Sequence, residues 1–508
     1  MPTYTFETTN ADEAKKREAN VAHLFESGIV TRKENTTGEI SYTLNTYPLA
    51  LHLADKQYIK AIDGVVFYYY DGCVYREVQA EKITQIAYQE LIDGKYRSLF
   101  KPVKQKELLK FIGMESFCDS EILEKNRHYI ALENKVLNLN TMQTEDFSPE
   151  KFVTNPLPFS YDPSADCPMF KSFAQSTFWQ DNQEDTDSML KFVQEIFGYT
   201  FYRDMPIKSM FFLLGPKNSG RSSFLQIIDG MLGDENTCTV ELQRFEDQYY
   251  VAQLLGSLAN IVYETPDFKR KELESSTLKA VTSGKDKVNA RHPYGRPFRF
   301  TATTKHFYAM NEFPRFEDMS GAVFKRIYAI QFKNQFEGKK DIKDYSLKIL
   351  EAEKPGIFNW ALEGLERLND NNWIFSTPRM IVEVTEHYKK QANHLYSFLI
   401  DCVVETENEE DILDLRDIRR NEYKEYLESH FDGAKPETVV NFVEGIKALG
   451  YRITKTDNMP KMIGYKIDSS RIQRDIFSVI EQPKSITSGK ARKEPRKWFV
   501  SNSVINDW

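Results

Sequence analysis

Residues 210–232 read MFFLLGPKNSGRSSFLQIIDGML, and the change of pattern along that run decides the fold. Met210–Leu214 is a short apolar stretch of the kind a fully buried strand uses. It leads directly into Gly215-Pro216-Lys217-Asn218-Ser219-Gly220-Arg221-Ser222-Ser223, and the FLQIIDGML behind it has helical apolar spacing. Strand, glycine-bearing loop and helix in that order are the setting of a phosphate-binding loop. The glycines let backbone N–H groups curl around a phosphate, the helix N-terminus adds positive potential, and the Ser222 hydroxyl is placed to bind Mg²⁺. Where the pattern requires lysine the chain has Arg221, which keeps the charge but donates it from a planar fork. Nucleotide binding is therefore expected, with hydrolysis in question. A strand, turn and helix that hold no nucleotide would read the same way in isolation.

The segments downstream of the loop strengthen the case for a nucleotide site. Leu258–Tyr263 is an apolar strand that delivers Glu264 roughly forty residues on, where a carboxylate can polarise water and support Mg²⁺. Phe307–Met310 delivers Asn311, a polar tip able to orient an attacking water. Phe324-Lys325-Arg326-Ile327 sets cations just before the strand Tyr328–Phe332, from which Arg326 can reach a neighbouring copy's nucleotide. Taken singly, these are also a solvated carboxylate, a turn residue and a surface ion pair. Between them, residues 282–298 read as a hairpin whose tip carries Arg291, His292, Tyr294 and Arg296. Cations interleaved with rings suit a nucleic-acid backbone, although a soluble surface hairpin has the same composition. His292 has no ligand-spaced partner, so metal binding there is not expected.

Outward from this centre, short apolar strands alternating with helices over 182–370 make an α/β domain. Residues 1–181 read as an α+β region containing IDGVVFYYYDGCVYR (62–76), a hairpin around an Asp-Gly turn, and they close on an acidic linker near Asp181. Leu190–Tyr199 is a helix expected to stop at Gly198. Residues 371–468 show helix (Ile418–Phe431), helix (Pro436–Leu449) and two strands, the order of a winged helix able to bind DNA, or a packing module of the same order. Residues 469–508 form a basic tail. The 508 residues suit about three domains, and 41% hydrophobic content supplies packed cores. A net charge of −8 argues against a chain that coats nucleic acid over its whole surface, yet leaves room for a local basic element. The five cysteines form no C-x-x-C pair, no apolar run is long enough to span a bilayer, and no signal-peptide pattern opens the sequence, so a cytoplasmic location without membrane attachment is expected.

In order and spacing these segments resemble a superfamily 3 helicase, specifically the helicase half of the phage/plasmid primase family. IFGYT and FFLLGPKNSGRSSF resemble its approach to the phosphate loop, NIVYET its acidic strand, and VTSGKDKVNARHPYGRPFRF its pore hairpin. TKHFYAMNEFP is similar to its sensor, with Lys305 and Asn311, and DMSGAVFKRIYAIQF to its arginine-finger segment, with Asp318 and Arg326. The chain departs from the family at Arg221, where lysine is usual, and at Lys325, which often is the first of two arginines. No signature of a primase half is present. Within the family the layout is most similar to the replication initiators of staphylococcal pathogenicity islands. The resemblance implies an AAA+ type motor that forms a homo-hexamer, binds ATP and Mg²⁺ between subunits, and moves 3′ to 5′ on one DNA strand. It further implies Glu264 as activator of water, Asn311 as sensor, Arg326 as finger, origin duplex and host replication proteins as further partners. Two other readings stay open: a nucleotide-binding scaffold that melts DNA with little turnover, and an initiator that recruits a host helicase.

Overall fold

The computed structural model describes residues 19–472, apart from 57, 63, 65, 92–93, 120, 123–125, 266–271, 293–296, 317–320, 339–341, 407, 432–433 and 457–458. The chain divides into two compact units, Met1–Asn393 and His394–Trp508.

The first unit is built on a parallel sheet. Its strands are β1 (Met210–Leu214), β2 (Thr237–Cys238), β3 (Ala259–Val262), β6 (Lys305–Met310) and β7 (Ile327–Gln331), in the spatial order β2-β3-β6-β1-β7. A separate antiparallel hairpin, β4 (Lys287–Arg291) with β5 (Pro297–Thr301), interrupts the alternation between β3 and β6. Every residue of β3 and β6 is buried, as expected for parallel strands covered on both faces. One face, with Phe211, Leu213, Ile261, Phe307 and Ile330, packs on α1 (Pro168–Thr177), α2 (Gln183–Phe201), α3 (Arg221–Leu232) and α4 (Tyr345–Asp370). The other face, with Met210, Phe212, Val262 and Tyr308, is covered by the inner side of the hairpin and by Tyr388 of α5 (Arg379–Ala392).

Three boundaries differ from the sequence reading. Helix α2 does not stop at Gly198 but continues to Phe201. Gly198 is instead a crossing point, because a Cβ there would run into the Ala361 carbonyl and Leu365 of α4, and Gly364 meets the α2 backbone at Gln194 in the same way. Residues 129–178, grouped by sequence with the N-terminal region, share the core of the central sheet through Ile130, Leu137, Phe159 and Phe170. Helix α5, placed by sequence in the C-terminal region, belongs to the sheet: Tyr388 donates to the Pro314 carbonyl at 2.6 Å, and Thr385 Oγ1 accepts from the Ala329 amide at 3.2 Å. Residues 24–112 hold a core of their own. The expected hairpin is there as Val66–Tyr70 with Tyr75–Val78, its turn closed by Asp71 Oδ1 accepting from the Cys73 and Val74 amides at 2.9 Å.

In the second unit His394–Cys402 is followed by the strand Ile412–Asp414, helices Leu415–Arg420 and Glu422–His430, helix Val439–Ala448, and strands Thr454–Thr456 and Met459–Ile463. The last strand lies between the other two in an antiparallel sheet. The single helix expected over 418–431 is broken at Asn421. Val440 is 70% exposed, while Phe442, Val443 and Ile446 of the same helix are buried.

Lys305 opens β6 and is fully buried. Its ammonium donates to the carbonyls of Asp204 at 2.8 Å, Thr303 at 3.0 Å and Tyr202, and faces the Tyr199 ring at 4.8 Å. It therefore closes the C-terminal end of α2 and lies a whole strand away from the phosphate loop. Burial pushes its pKa down to about 7. The unfolded chain thus binds the proton more tightly, and the contribution of this group to stability rises with pH from about 7 toward the ordinary lysine value. Lys305→Met should cost about 2–4 kcal/mol, through three carbonyls left without a donor. Thermal unfolding from about pH 7 to 9 should show wild type gaining stability relative to the variant; a pH-independent difference would contradict this account.

Candidate functional site

Parallel pairing brings the carboxyl ends of the strands to one edge, the usual place for a ligand in such a sheet. Leu214 lies opposite Met310 and Gln331, and Val262 opposite Tyr308, so Gly215, Asn311 and Glu264 emerge side by side. The 215–220 loop is shaped by glycine. A Cβ on Gly215 would strike the Phe332 carbonyl at 2.5 Å, and Gly220 turns through φ +87 to start α3 at Arg221. Asn218, also left-handed, accepts from the Phe336 amide through its carbonyl at 2.8 Å.

A cleft of about 490 Å³ opens on Pro216, Lys217, Asn218, Ser219, Gly220, Arg221, Ser222 and Ser223. Its other wall is Phe173 and Ser176 of α1 with Phe336, Ile342 and Tyr345. That apolar wall escaped sequence reasoning, since α1 lies before the loop and 336–345 far behind it; the only signal was the aromatic content of both segments. Asn334 ties the wall together by donating to the Ser176 and Thr177 carbonyls at 3.1 Å.

The residues fit a triphosphate with Mg²⁺. Ser219 Oγ and Thr265 Oγ1 are buried hydroxyls with no partner among the described residues, one inside the loop and one beside Glu264. Ser222 and Glu264 are exposed toward solvent. Among the described residues no group of three His, Cys, Asp or Glu is placed to hold a metal ion. A Mg²⁺ ion here would thus rest on the Ser222 hydroxyl, phosphate oxygens and water near Glu264, which suits an ion that keeps much of its hydration.

Arg221 is the departure with a geometric consequence. Its guanidinium donates to the Met310 carbonyl at 2.6 Å and to Asn311 Oδ1 at 3.3 Å, linking the phosphate loop to the tip of β6. Burial lowers its pKa, and the Glu264 carboxylate opposes that shift.

Arg326 lies elsewhere. It ends a short helical turn before Ile327, whose partner is Met210, so it sits at the amino edge of the sheet, a strand length from its own phosphate loop. It donates to the Ala322 carbonyl at 2.5 Å. Lys325 beside it is exposed, and Asp318 lies outside the described residues.

The hairpin buries Val288, Ala290 and Phe300 and turns Lys287, Asn289 and Arg299 outward. Arg291 ends β4 and His292 stacks on Phe298, with ring centroids 4.9 Å apart. Tyr294 and Arg296 lie outside the described residues.

Residues 49–179 match the family described as D5 N terminal like, and residues 213–326 match a family of unknown function, DUF5906. The chain is 22% identical over 343 residues to "Putative helicase L207/L206" of Acanthamoeba polyphaga mimivirus, covering 62% of this chain and 34% of that protein. The chain thus spans about a third of the length of the mimivirus relative. A second relative, "Uncharacterized mitochondrial protein ymf21" of Marchantia polymorpha, is 26% identical over 127 residues, 23% of this chain and 68% of that one. Among solved structures, an apo form of the NrS-1 C-terminal region (305–718) is similar at TM-score 0.45 and 11% identity, covering 83% of this chain and 99% of the other. Among the described residues no helix is long and apolar enough to cross a membrane.

Arg221→Ala should weaken binding of a nucleoside triphosphate about ten-fold, roughly 1.4 kcal/mol, by removing the cation nearest the phosphates. Titration of a fluorescent ATP analogue reads this directly. Affinity equal to wild type would mean that Arg221 serves only to hold Asn311.

Proposed function

We propose that the chain is an ATP-driven, ring-forming DNA helicase of AAA+ type that acts in replication initiation. The observation that carries this reading is the division of labour across the sheet. The strand bearing Asn311 is inserted between those bearing the phosphate loop and Glu264, so both polar tips face the loop, while Arg326 sits at the opposite edge. A site built this way has a nucleotide cradle, a carboxylate to align water and a polar sensor, while among the described residues the finger candidate Arg326 lies away from it, so the charge that develops on the transferred phosphoryl group calls for a finger cation from elsewhere. A neighbouring copy's Arg326 supplies it, and this is the physical reason to propose a ring, by family likeness a hexamer. Mg²⁺ held at Ser222 would neutralise β- and γ-phosphate charge. Glu264 orients the water and accepts its proton, and Asn311 senses whether the γ-phosphate is present. The hairpin with Arg291 and His292 then moves along one strand, 3′ to 5′ by family likeness.

The second unit suits a winged helix: the helices Leu415–Arg420, Glu422–His430 and Val439–Ala448 precede the strands Thr454–Thr456 and Met459–Ile463, and Met459–Ile463 lies between Thr454–Thr456 and Ile412–Asp414. Its helix Val439–Ala448 offers Val440, Asn441, Glu444 and Lys447 outward. With one cation among the four, any reading of origin duplex would rest on base-edge contacts, with phosphate grip from elsewhere. Likeness to the initiators of staphylococcal pathogenicity islands, and host replication proteins as loading partners, belong to the same proposal.

The contact of Arg221 with Asn311 favours a second reading. A guanidinium that occupies the sensor competes with γ-phosphate, so the chain would bind nucleotide and melt DNA with little turnover. Arg221→Lys should then raise steady-state phosphate release several-fold; a fall would show that the arginine is used as it stands.

Glu264→Gln should abolish phosphate release while sparing triphosphate binding. Arg326→Ala should do the same in the homomer. Mixed in one assembly, the two variants should recover part of the wild-type rate, because some interfaces then join an intact Glu264 to a partner's intact Arg326. Absence of recovery in verified mixed assemblies would count against catalysis in trans.

A further inference from the structure

A second cleft, of about 690 Å³, lies at the edge of the sheet opposite the phosphate loop, between the N-terminal region and the base of the β4–β5 hairpin. Leu258 and Thr303, just before β3 and β6, form its floor. Its electrostatics are lopsided. Arg203 is fully buried, and its guanidinium donates to the carbonyls of Asn126 and Tyr129 at 3.2 Å and to Thr154 Oγ1 at 2.9 Å, none of them anionic. Burial pushes its pKa down to about 10, the mark of a cation short of a counter-charge. Lys285, Lys287 and Arg299 line the opposite wall, are exposed, and have no ion pair among the described residues; Arg299 donates only to Asn289 Oδ1, at 3.0 Å. The other two arginines of the cleft are matched, Arg127 by Asp204 at 3.1 Å and Arg76 by Asp71 and Glu235. Glu77, which accepts from the Tyr68 hydroxyl at 3.0 Å, and Glu121 complete the carboxylates facing the space.

The cations of the wall are ordered. In the hairpin register Asn289 faces Arg299 and Lys287 faces Thr301, so Arg291, Arg299 and Lys287 descend one outward face in steps of two residues, and Lys285, in the bend just before β4, also lines the cleft. Each step is about 6.7 Å, a spacing suited to successive phosphates of a stretched single strand. A free phosphate would need one convergent cradle, not a row.

We propose that this cleft is a second nucleic-acid site, which takes the backbone of the single strand after it has passed the hairpin tip, with Lys287, Arg299, Lys285 and Arg203 as its phosphate partners. This rests on the reading of the hairpin as the nucleic-acid element and extends it away from the tip.

The test is fluorescence anisotropy with a labelled oligothymidylate, on the full chain with a non-hydrolysed ATP analogue, across a salt series. Lys285→Ala/Lys287→Ala/Arg299→Ala should lower affinity about ten-fold and reduce the log–log salt slope by about two, because each lost phosphate contact on a single strand removes about 0.7. The charge-keeping Lys285→Arg/Lys287→Arg/Arg299→Lys should restore both. Glu235→Gln, which removes a carboxylate and leaves Arg76 paired with Asp71 alone, should tighten binding, a gain that misfolding cannot imitate. If Arg291→Ala flattens the slope and the triple alanine variant does not, the cleft proposal falls and the hairpin reading stands. If neither variant moves the slope, the hairpin reading itself falls and takes this one with it. If the triple variant loses affinity for inorganic polyphosphate of matched charge but not for the oligonucleotide, the cleft is a free-phosphate site and the proposal is overturned.

Discussion

The structure depends on one strand being held in register along its whole length. β6 lies between β1 and β3 with all six residues buried, and a slip of one position would exchange its two faces, carrying His306 and Tyr308 into the aromatic layer of Phe211 and Phe197. A polar group fixes the alignment with β3. Asn260 Nδ2 donates to the Tyr308 hydroxyl at 3.0 Å and to the Val240 carbonyl at 2.9 Å, while its Oδ1 accepts from the Val240 amide at 2.6 Å. Burial pushes the His306 pKa down to about 3, so this network carries no charge. Lys305 anchors the amino end of the strand to the close of α2. With one end tied and the middle pinned, the other end has a defined place, and Asn311 is set beside Arg221 by that constraint.

Parallel strands also separate two kinds of chemistry by their own length. The carboxyl edge holds the cradle, the carboxylate and the sensor. The amino edge holds Arg326 and the cation-rich cleft below the hairpin. No rearrangement of side chains brings Arg326 to Gly215 within one chain, since β7 lies between them. The proposed edge-to-edge arrangement of copies would join them. The same division sets the hairpin, which packs over the sheet through Val288 and Phe300, between the place where phosphoryl charge would change and the place where a strand would be held.

How much of this was legible in the sequence depends on how local each feature is. The phosphate loop is written in consecutive residues, and Glu264 and Asn311 come directly after apolar runs whose ends predict strand tips. The hairpin is likewise local, with Val288 and Ala290 inward and Lys287 and Asn289 outward by simple alternation. Non-local features were not legible. Gly198 reads as a helix terminator, yet it is a crossing glycine because α4, roughly 160 residues on, presses its backbone there. Lys305 lies in the sensor segment by sequence but at the wrong end of a buried strand. The apolar wall of Phe173, Phe336 and Tyr345 converges from segments more than 150 residues apart in the chain, and no periodicity announces such a meeting. Val440 is apolar and nonetheless exposed, because its helix packs through the opposite face of Phe442, Val443, Gly445 and Ile446.

Arg221 shows how one residue can link these levels. A lysine ammonium at the start of α3 is compact and satisfied by phosphate oxygens, whereas a guanidinium presents a planar fork that seeks two acceptors at a fixed separation. The Met310 carbonyl and Asn311 Oδ1 provide them, at the tip of the strand on which the sheet depends. Hydrogen bonds to a charged donor are worth about 1.5–3 kcal/mol each. A triphosphate entering the loop must therefore offer Arg221 at least as much as the strand tip does before the sensor is released to it. On the proposed reading Arg221 thus bears on more than the phosphate affinity of the loop: it would make the position of Asn311 depend on whether phosphate is bound, the coupling that a nucleotide-driven motor requires and that a passive scaffold would use as a brake.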